Sequence, residues 1–365
     1  MRVLQIIDSL HAGGAERMAV NYANALSKKI EFSGLIATRT EGDLKNEIYN
    51  DVSYKFINKK SKFDFKALLS LRKFVKQNKI EIIHAHGTSY FFSVLLKCIY
   101  PKIKIAWHDH FGNRILAHED NLKLKFFSRF FSIVFTVNTD LEKWGKENLK
   151  CSVIKYLPNF ASDSNLNKFT VLKGENQKRI VCLANLKDPK NHLFMVKAFH
   201  LSKIGSLGYS LHFIGNDYDD DYSKELKSYI SENKLSENIF FYGIRNDINY
   251  ILNQANIGIL CSTSEGFPVS ILEYGNAKLF VLATNVGEIS SVIQTSKNGI
   301  LVESNNLNQL VSAMELIAAN KDAIQEKMGN QLYEIVKNKY SEKVVINQYL
   351  TSLHYICNIG NKKKL

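Results

Sequence analysis

The sequence predicts an α/β protein of two Rossmann-like domains that face each other across a cleft. Short apolar runs alternate with longer amphipathic runs along the 365 residues, which is the pattern of repeated βαβ units. The alternation occurs twice, and the polar segment 158–178 separates the two series as a linker. A chain of this length is also long enough for two domains that each bury a core.

The first series predicts an N-terminal domain over residues 1–160. The predicted strands are VLQII, FSGLIAT, VSYKFI, IEIIHAH, IKIAWHD, IVFTVN and CSVIKYLP, and the predicted helices lie near 15–28, 65–78, 88–99, 121–130 and 139–148. The run MRVLQIID at the N-terminus is read as a strand rather than a signal peptide, because no apolar h-region follows it.

The second series predicts a C-terminal domain over residues 161–340. The predicted strands are RIVCLAN, LHFIGN, IFFYG, IGILCS, FVLATN and ILVES, and helices are predicted near 191–204, 221–233, 245–253, 268–277, 287–294, 306–319 and 321–337. An amphipathic helix at about 341–359 follows. It either packs back on the first domain or caps the second.

Composition indicates a soluble globular protein, with 45% apolar and 23% charged residues. No segment has the roughly 20 consecutive apolar residues of a membrane helix. The five cysteines are odd in number, scattered, and without metal-ligand spacing, which favours reduced thiols in the cytoplasm.

The positive charge is concentrated in the first half of the chain. Residues 1–160 hold 26 Lys+Arg against 15 Asp+Glu, a net +11, whereas residues 161–365 hold 22 against 20, a net +2. This asymmetry favours an anionic partner, namely the inner membrane surface or a lipid-linked diphosphate, although a lysine-rich composition would also produce it. Nucleic acid is not favoured, because no aromatic-basic module of known pattern is present.

Two stretches mix aromatic and basic residues, 59–66 and 122–131. Such stretches can lie on a membrane, so they predict peripheral association with the inner face of the plasma membrane. Core packing of the phenylalanines is the alternative.

The most informative segment is EGFPVSILE, which runs from Glu265 to Glu273. It follows a buried strand at 257–261, and Pro268 suits the first turn of the next helix. Free N–H groups at 268–270 would form an anion site, and the two carboxylates would bind hydroxyls. This set suits a sugar nucleotide, although two solvated acids beside an ordinary loop would have the same spacing.

Several motifs occur in a familiar order: HAGGAER, IIHAHG, WHDHFG, LPNF, LANLKDPKNH, IGN, FYGIRNDI, SEGFPVSILE, ATNVGEISSVI and NGILV. Together they resemble the family 4 retaining glycosyltransferases of GT-B fold, of the type that builds bacterial surface polysaccharides. The resemblance covers nearly the whole chain. It implies transfer of a sugar from a nucleoside-diphosphate sugar to a lipid-linked glycan acceptor, without a cofactor or a metal ion.

The resemblance also implies roles in donor binding. Lys190 matches the lysine that holds the donor diphosphate, and Asn185 stands where the family usually has an arginine. Arg245 could compensate for that loss. Glu265 would bind the donor sugar and Glu273 the ribose.

Backbone groups complete the implied donor site. The segment Gly266, Phe267, Pro268, Val269 and Ser270 would meet the sugar and the distal phosphate. Gly13 and Gly14 would let backbone approach the phosphates, because they lack side chains. An ordinary tight turn is the alternative for these two glycines.

Histidines of the first domain complete the implied site. His108 would contact the donor sugar and support the developing charge, and His110 would share its strand face. His86 and His110 are candidates on the acceptor side, whereas Asp109 would point the other way. His84 and His86 could equally be structural. No metal is expected at these histidines.

Two other functions remain open on the same architecture. One is a sugar-nucleotide epimerase or hydrolase, and the other is a nucleotide-sugar-binding protein with weak catalysis, which Asn185 motivates. The acidic loop Asp217–Asp221 resembles metal-binding carboxylates but is expected to be a solvated loop and helix N-cap.

Overall fold

The computed structural model describes residues 1–112, 114, 118–162, 168–319 and 322–362. The chain divides into two compact units, one of residues 1–160 with the segment from Glu342 onward, the other of Ala161–Ser341. Residues 163–167 of the predicted linker lie outside the described residues. Each unit contains one parallel β-sheet with helices, so the predicted α/β fold class is confirmed.

The first unit has a seven-stranded sheet in the order β3-β2-β1-β4-β5-β6-β7. Its strands are β1 (Arg2–Ser9), β2 (Phe32–Thr40), β3 (Ser53–Phe56), β4 (Ile82–His86), β5 (Lys104–Asp109), β6 (Ile133–Thr136) and β7 (Ile154–Tyr156). All neighbours in this sheet pair in parallel, and the order reverses direction between β1 and β4. Ligands of such sheets bind outside the carboxyl ends of the strands at this switch point.

Five helices connect these strands: α1 (Gly14–Ser27), α2 (Phe65–Gln77), α3 (Tyr90–Ile99), α4 (His118–Phe127) and α5 (Thr139–Asn148). Polar side chains set two of the helix starts. Asp64 accepts a hydrogen bond from the Ala67 N–H at the start of α2, and Asn138 accepts one from the Leu141 N–H at the start of α5.

The second unit has a six-stranded parallel sheet in the order β10-β9-β8-β11-β12-β13. Its strands are β8 (Arg179–Leu183), β9 (Ser210–Ile214), β10 (Ile239–Gly243), β11 (Ile257–Leu260), β12 (Phe280–Thr284) and β13 (Ile300–Val302). Its helices are α6 (His192–Leu201), α7 (Asp221–Glu232), α8 (Ile248–Leu252), α9 (Val269–Asn276), α10 (Ile289–Val292), α11 (Leu307–Ala319) and α12 (Asp322–Lys339). The sheet again reverses order between its first strand, β8, and β11.

The C-terminal helix α13 (Glu342–Lys362) belongs to the first unit. Tyr349 is fully buried and contacts Tyr22 of α1, with ring centroids 4.9 Å apart. Lys155 of β7 also hydrogen-bonds to Ser352. The chain therefore returns to its first sheet after completing the second.

The membrane-related predictions have two structural outcomes. None of the described helices is long and apolar enough to cross a bilayer. Lys59, which the sequence places in a membrane-facing stretch, is instead almost fully buried and paired with Asp8, so that part of the prediction is wrong. An ammonium group buried in an ion pair cannot contact lipid headgroups.

Candidate active site

In the second unit, the loop between β11 and α9 brings Glu265 and Lys190 into direct contact. Oε1 of Glu265 lies 2.6 Å from Nζ of Lys190 and 2.5 Å from Oγ of Ser262. The Glu265 side chain is 10% exposed and that of Lys190 is 23% exposed, so the pair is accessible only at one side. Two residues 75 positions apart, both predicted from the sequence, therefore form one charged centre.

Main-chain contacts hold the two loops of this centre together. Lys190 precedes α6, and the Thr263 N–H donates to the carbonyl oxygen of Pro189 at 2.8 Å. A lysine whose charge is already paired in a partly buried site is held in place before a substrate arrives. An incoming diphosphate would therefore compete with Glu265 for this ammonium group.

The start of α9 differs from the prediction by one residue. Pro268 has φ −70° and ψ 125°, so it is the residue before the helix and not part of the first turn. Proline has no N–H, so the expected donor at 268 is wrong. The first helical N–H groups belong to Val269, Ser270 and Ile271, whose intrahelical acceptors are missing at a helix start.

A second loop, part of the motif ATNVGEISSVI, supports the Glu265 loop, a role that the sequence did not predict. Gly287 has φ +56°, and a Cβ there would overlap the Glu265 carbonyl oxygen. The Glu288 N–H donates to the Gly266 carbonyl oxygen at 3.0 Å, and Thr284 Oγ1 donates to the Ser262 carbonyl oxygen at 2.6 Å. The only sequence signal was the glycine of NVGE.

Glu273 lies on α9 and is half-buried, one turn beyond the helix start. The same short helix therefore carries the N–H groups at its start and this carboxylate further along. Its predicted contact with ribose stays a prediction.

Asn185, which stands where the family usually has an arginine, makes hydrogen bonds within its own unit. Its Oδ1 accepts a hydrogen bond from the Asn216 N–H at 2.8 Å, and its Nδ2 lies 3.4 Å from the Tyr218 hydroxyl. It thereby joins the segments that follow β8 and β9. Arg245, after β10, is exposed, and its Nη1 donates to the Ile244 carbonyl oxygen.

In the first unit, the histidines of β4 and β5 form a row on one face of the sheet. Nε2 of His86 lies 2.9 Å from Oε1 of Gln5, and Nδ1 of His86 lies 3.0 Å from Nε2 of His110. With an amide oxygen as its acceptor, His86 carries its hydrogen on Nε2. Nδ1 of His86 therefore accepts a hydrogen bond from the Nε2–H group of His110.

His108 and His110 differ in exposure. His108 is fully buried beside Tyr22, whereas His110, just beyond β5, keeps part of its surface exposed. A ligand at this sheet edge would therefore meet His110 first. Asp109 points to the opposite face and pairs with Arg114, as its position in the strand predicts.

Burial governs the charge state of this histidine row. It holds the pKa values of His84, His86 and His108 well below 6.5, and it lowers the pKa of His110 to about 3. These imidazoles are therefore neutral near pH 7. Ligand atoms of His84, His86 and His108 lie within 4.8 Å of one another, so metal binding is sterically feasible, and the expectation of no metal stays a prediction.

Gly13 and Gly14 begin α1 at the carboxyl end of β1. The φ of Gly13 is −162°, an extended value that any residue adopts, and a Cβ at Gly14 would meet no heavy atom of the described residues within 4 Å. The local fold therefore does not require a glycine at position 14.

The acidic loop contains the predicted helix N-cap. Asp220 is the N-cap of α7 and accepts a hydrogen bond from the Ser223 N–H. Asp217 pairs with Lys227 at 2.6 Å.

Comparison with known proteins decides the family. A model of Glycosyltransferase Family 4 matches residues 12–161, and a model of glycosyl transferases group 1 matches residues 163–335. The chain belongs to the family 4 glycosyltransferases. The resemblance seen in the sequence is thereby confirmed, and the protein is a glycosyltransferase.

Relatives and solved structures agree with this assignment. The capsular polysaccharide biosynthesis glycosyltransferase CapH of Staphylococcus aureus is 24% identical, over 82% of this chain and 85% of that protein. The Escherichia coli UDP-Gal:alpha-D-GlcNAc-diphosphoundecaprenol alpha-1,3-galactosyltransferase is 25% identical over 71% of each chain. Anabaena HepE, crystallised with UDP and glucose, shares the fold with a TM-score of 0.80, 15% identity, and coverage of 97% of this chain and 99% of that chain.

Proposed function

We propose that this glycosyltransferase moves a sugar from a nucleoside-diphosphate sugar to a hydroxyl of a lipid-linked glycan, with retention of anomeric configuration. The observation that carries the proposal is the Lys190–Glu265 centre beside the first N–H groups of α9. It combines a cation, a helix start and a carboxylate within one loop system. These are the groups that a diphosphate and a sugar require.

Charge develops on the leaving diphosphate as its bond to the sugar breaks. Lys190 and the N–H groups of 269–271 would stabilise that charge, because fixed donors gain most where charge appears during the reaction. When Lys190 turns towards the diphosphate, Glu265 is released to accept hydrogen bonds from sugar hydroxyls. The ion pair thus becomes two substrate contacts.

The first unit has its own candidates for contact with the donor. Gly13 and Gly14 allow a close approach of backbone to the phosphates. The sugar contact that the sequence assigned to His108 would instead fall to His110, because His108 is fully buried behind it in the same row. Glu273 would hold the ribose.

The acceptor would carry a lipid diphosphate. The Escherichia coli relative named above acts, by its name, on a diphosphoundecaprenol-linked sugar. The first half of this chain, which the proposal assigns to acceptor binding, carries a net +11. Cationic surface attracts both an anionic lipid carrier and the bilayer that holds it.

Exposed aromatic residues favour peripheral association with the inner membrane surface. Phe63 and Phe65, at the start of α2, and Leu69 within it are each more than half exposed. Phe63 contacts Phe91, which in turn contacts Phe127 of α4, so these rings form one surface. A surface of aromatic side chains with nearby lysines suits the headgroup region.

One assay separates the three candidate functions. Release of nucleoside diphosphate from a panel of sugar nucleotides is measured with and without a lipid-diphosphate-linked sugar. Acceptor-dependent release, with a product of retained configuration by NMR, supports the proposal. Acceptor-independent release indicates a hydrolase, an altered sugar nucleotide indicates an epimerase, and binding without turnover indicates a binding protein.

Vesicle sedimentation tests the membrane part independently. Binding to anionic vesicles should exceed binding to neutral vesicles and weaken as salt rises. Replacing Phe63 and Phe65 by Ser should reduce the part of binding that resists salt. Equal and weak binding to both vesicle types would contradict membrane association. It would not bear on the proposed transferase activity.

A further inference from the structure

A second polar cluster lies in the first unit at the switch point of its sheet. Asp8 lies near the carboxyl end of β1, and Thr88 follows β4, the neighbouring strand on the other side of the reversal. Arg39 lies at the end of β2, and Lys59 follows β3. Four consecutive positions along this edge therefore contribute to one cluster at the place where such sheets bind ligands.

Asp8 is the centre of the cluster. Its Oδ1 accepts hydrogen bonds from Thr38 Oγ1 at 2.5 Å and Lys59 Nζ at 3.2 Å, and its Oδ2 accepts one from Thr88 Oγ1 at 2.7 Å. Nε of Arg39 lies 3.6 Å from the same Oδ1. The carboxylate is thus held on both of its oxygens.

The cluster contains two cations and one anion. Lys59 lies over the Phe92 ring, with its side chain 5% exposed, so it is held inside the protein. Arg39 is 46% exposed, which leaves its guanidinium open to a ligand. Among these three groups, the positive charges exceed the negative charge by one. A second anion near Arg39 would complete the compensation.

The exposed guanidinium of this cluster suits a compact anion such as phosphate. A guanidinium offers paired N–H donors that match phosphate oxygens, and Arg39 is the exposed cation of the cluster, whereas the Thr88 hydroxyl donates its hydrogen to Asp8. Membrane contact does not explain the cluster, because Lys59 is buried. The donor contacts proposed for the first unit are Gly13, Gly14 and the histidine row, and none of them belongs to this cluster.

We propose that Arg39, supported by the Asp8–Lys59 pair, binds a phosphate of the acceptor's lipid diphosphate. This inference rests on the proposed function and names the part of the first unit that recognises the acceptor. Arg39 touches the substrate, whereas Asp8, Lys59 and Thr88 are positioning residues. The positive charge of the first half of the chain would then bind one phosphate of the acceptor, in addition to attracting the lipid carrier and the bilayer.

Binding of farnesyl diphosphate to the full chain tests the inference directly. All titrations use the Lys190→Ala background, which removes the principal cation of the donor site. Adding R39Q should weaken the binding of farnesyl diphosphate at least about tenfold, the factor that corresponds to 1.4 kcal/mol. Farnesol, which has the same chain without phosphates, should bind weakly and equally to both variants.

K45Q is the matched control. Lys45 follows the same strand, is 48% exposed, and pairs with Glu41 rather than Asp8. Both substitutions remove one positive charge, so equal losses of affinity would indicate general attraction and overturn the inference. Unchanged affinity in R39Q would also overturn it.

A transfer assay distinguishes this inference from the proposed function. In the otherwise unaltered protein, R39Q should raise the KM for an acceptor on a farnesyl diphosphate and leave the KM for the donor unchanged. If R39Q and the unaltered protein have the same KM for the acceptor and transfer is normal, the phosphate site alone is overturned. Failure of the unaltered protein to transfer any sugar would overturn the function instead.

Discussion

The candidate site of the second unit and the polar face of the first unit are built in opposite ways. In the second unit the groups lie in loops at the carboxyl edge, and Lys190 and Glu265 satisfy each other directly. In the first unit they lie within the strands themselves, where Gln5, His84, His86 and His108 are fully buried. The loop site of the second unit can exchange partners when a ligand arrives. The buried side chains of the first unit can only hold one another in place.

This contrast suggests a division of labour. The loop site changes its contacts during the reaction and should control turnover. The histidine row fixes the orientation of His110 through His86 and Gln5, and should control stability and the shape of the edge. Substitutions in the two regions should therefore separate into losses of activity and losses of stability.

The largest effect on activity is expected from Lys190→Ala. It removes the cation that would stabilise the leaving diphosphate, and loss of one such group typically lowers kcat by about 10²–10³. Lys187→Ala is the control, because Lys187 is exposed in the same loop. Steady-state kinetics and thermal melting check both variants. Normal turnover in a folded Lys190→Ala protein would remove this lysine from the site.

Gly287→Ala should come next, because it affects the loop that supports Glu265. A residue with φ +56° is strained by any side chain, and here the added methyl group would also overlap the Glu265 carbonyl oxygen. Gly243→Ala separates the two causes, since its φ is +67° but an added Cβ would meet no described atom within 4 Å. Gly287→Ala should lose donor affinity and activity in titration and turnover assays. Gly243→Ala should lose only about 1 kcal/mol of stability. Equal effects on activity would show that contact with the Glu265 loop is unimportant.

Gln5→Leu should destabilise the protein with less effect on the chemistry. It removes the acceptor of the His86 Nε2–H, and a buried donor left without a partner costs about 1–3 kcal/mol. Denaturant unfolding measures the loss. A double-mutant cycle with His110→Phe should show coupling, because both residues contact His86. Additive effects would mean that Gln5 and His110 act separately.

The sequence predicted the loop site better than the strand site, and the reason is physical. Glu265 and the start of α9 are close in the chain, so local turn and helix chemistry placed them within one residue. The role of Gly287 depends on its contact with the distant Glu265 loop, which a single sequence does not encode in any visible spacing. Alternation within β4 and β5 did place the histidines on one face.

The burial of side chains was harder to predict than the sheet face on which they lie. Lys59 lies in a basic, exposed-looking stretch, yet it is buried because Asp8, 51 residues earlier, compensates its charge. His108 and His110 share a strand face, but only the three-dimensional packing of Tyr22 and Tyr349 over the sheet decides which is covered. Such long-range pairings are invisible to patterns of hydrophobic residues.

A smaller gain is expected from Asn185→Arg. If this position faces the diphosphate, a charged donor should improve donor affinity about tenfold, because charge-assisted hydrogen bonds exceed neutral ones. The substitution also removes the acceptor of the Asn216 N–H, so a stability loss of about 1 kcal/mol should accompany the gain. Calorimetric titration with the donor and a melting curve measure the two. A folded variant with unchanged donor affinity would show that Asn185 serves only to join β8 to β9.

The smallest effect is expected from chelation. The proposed stabilisers of the diphosphate are Lys190 and backbone N–H groups, and Asp217 and Asp220 are engaged with Lys227 and the start of α7. Treatment with EDTA should therefore leave the transfer rate unchanged. Complete loss, restored by manganese or magnesium, would contradict a metal-independent reaction and turn attention to the acidic loop. Loss restored by zinc but not by magnesium would instead implicate His84, His86 and His108, because imidazoles suit zinc and hard cations prefer oxygen ligands. The choice of metal in the rescue therefore distinguishes the two units of the molecule.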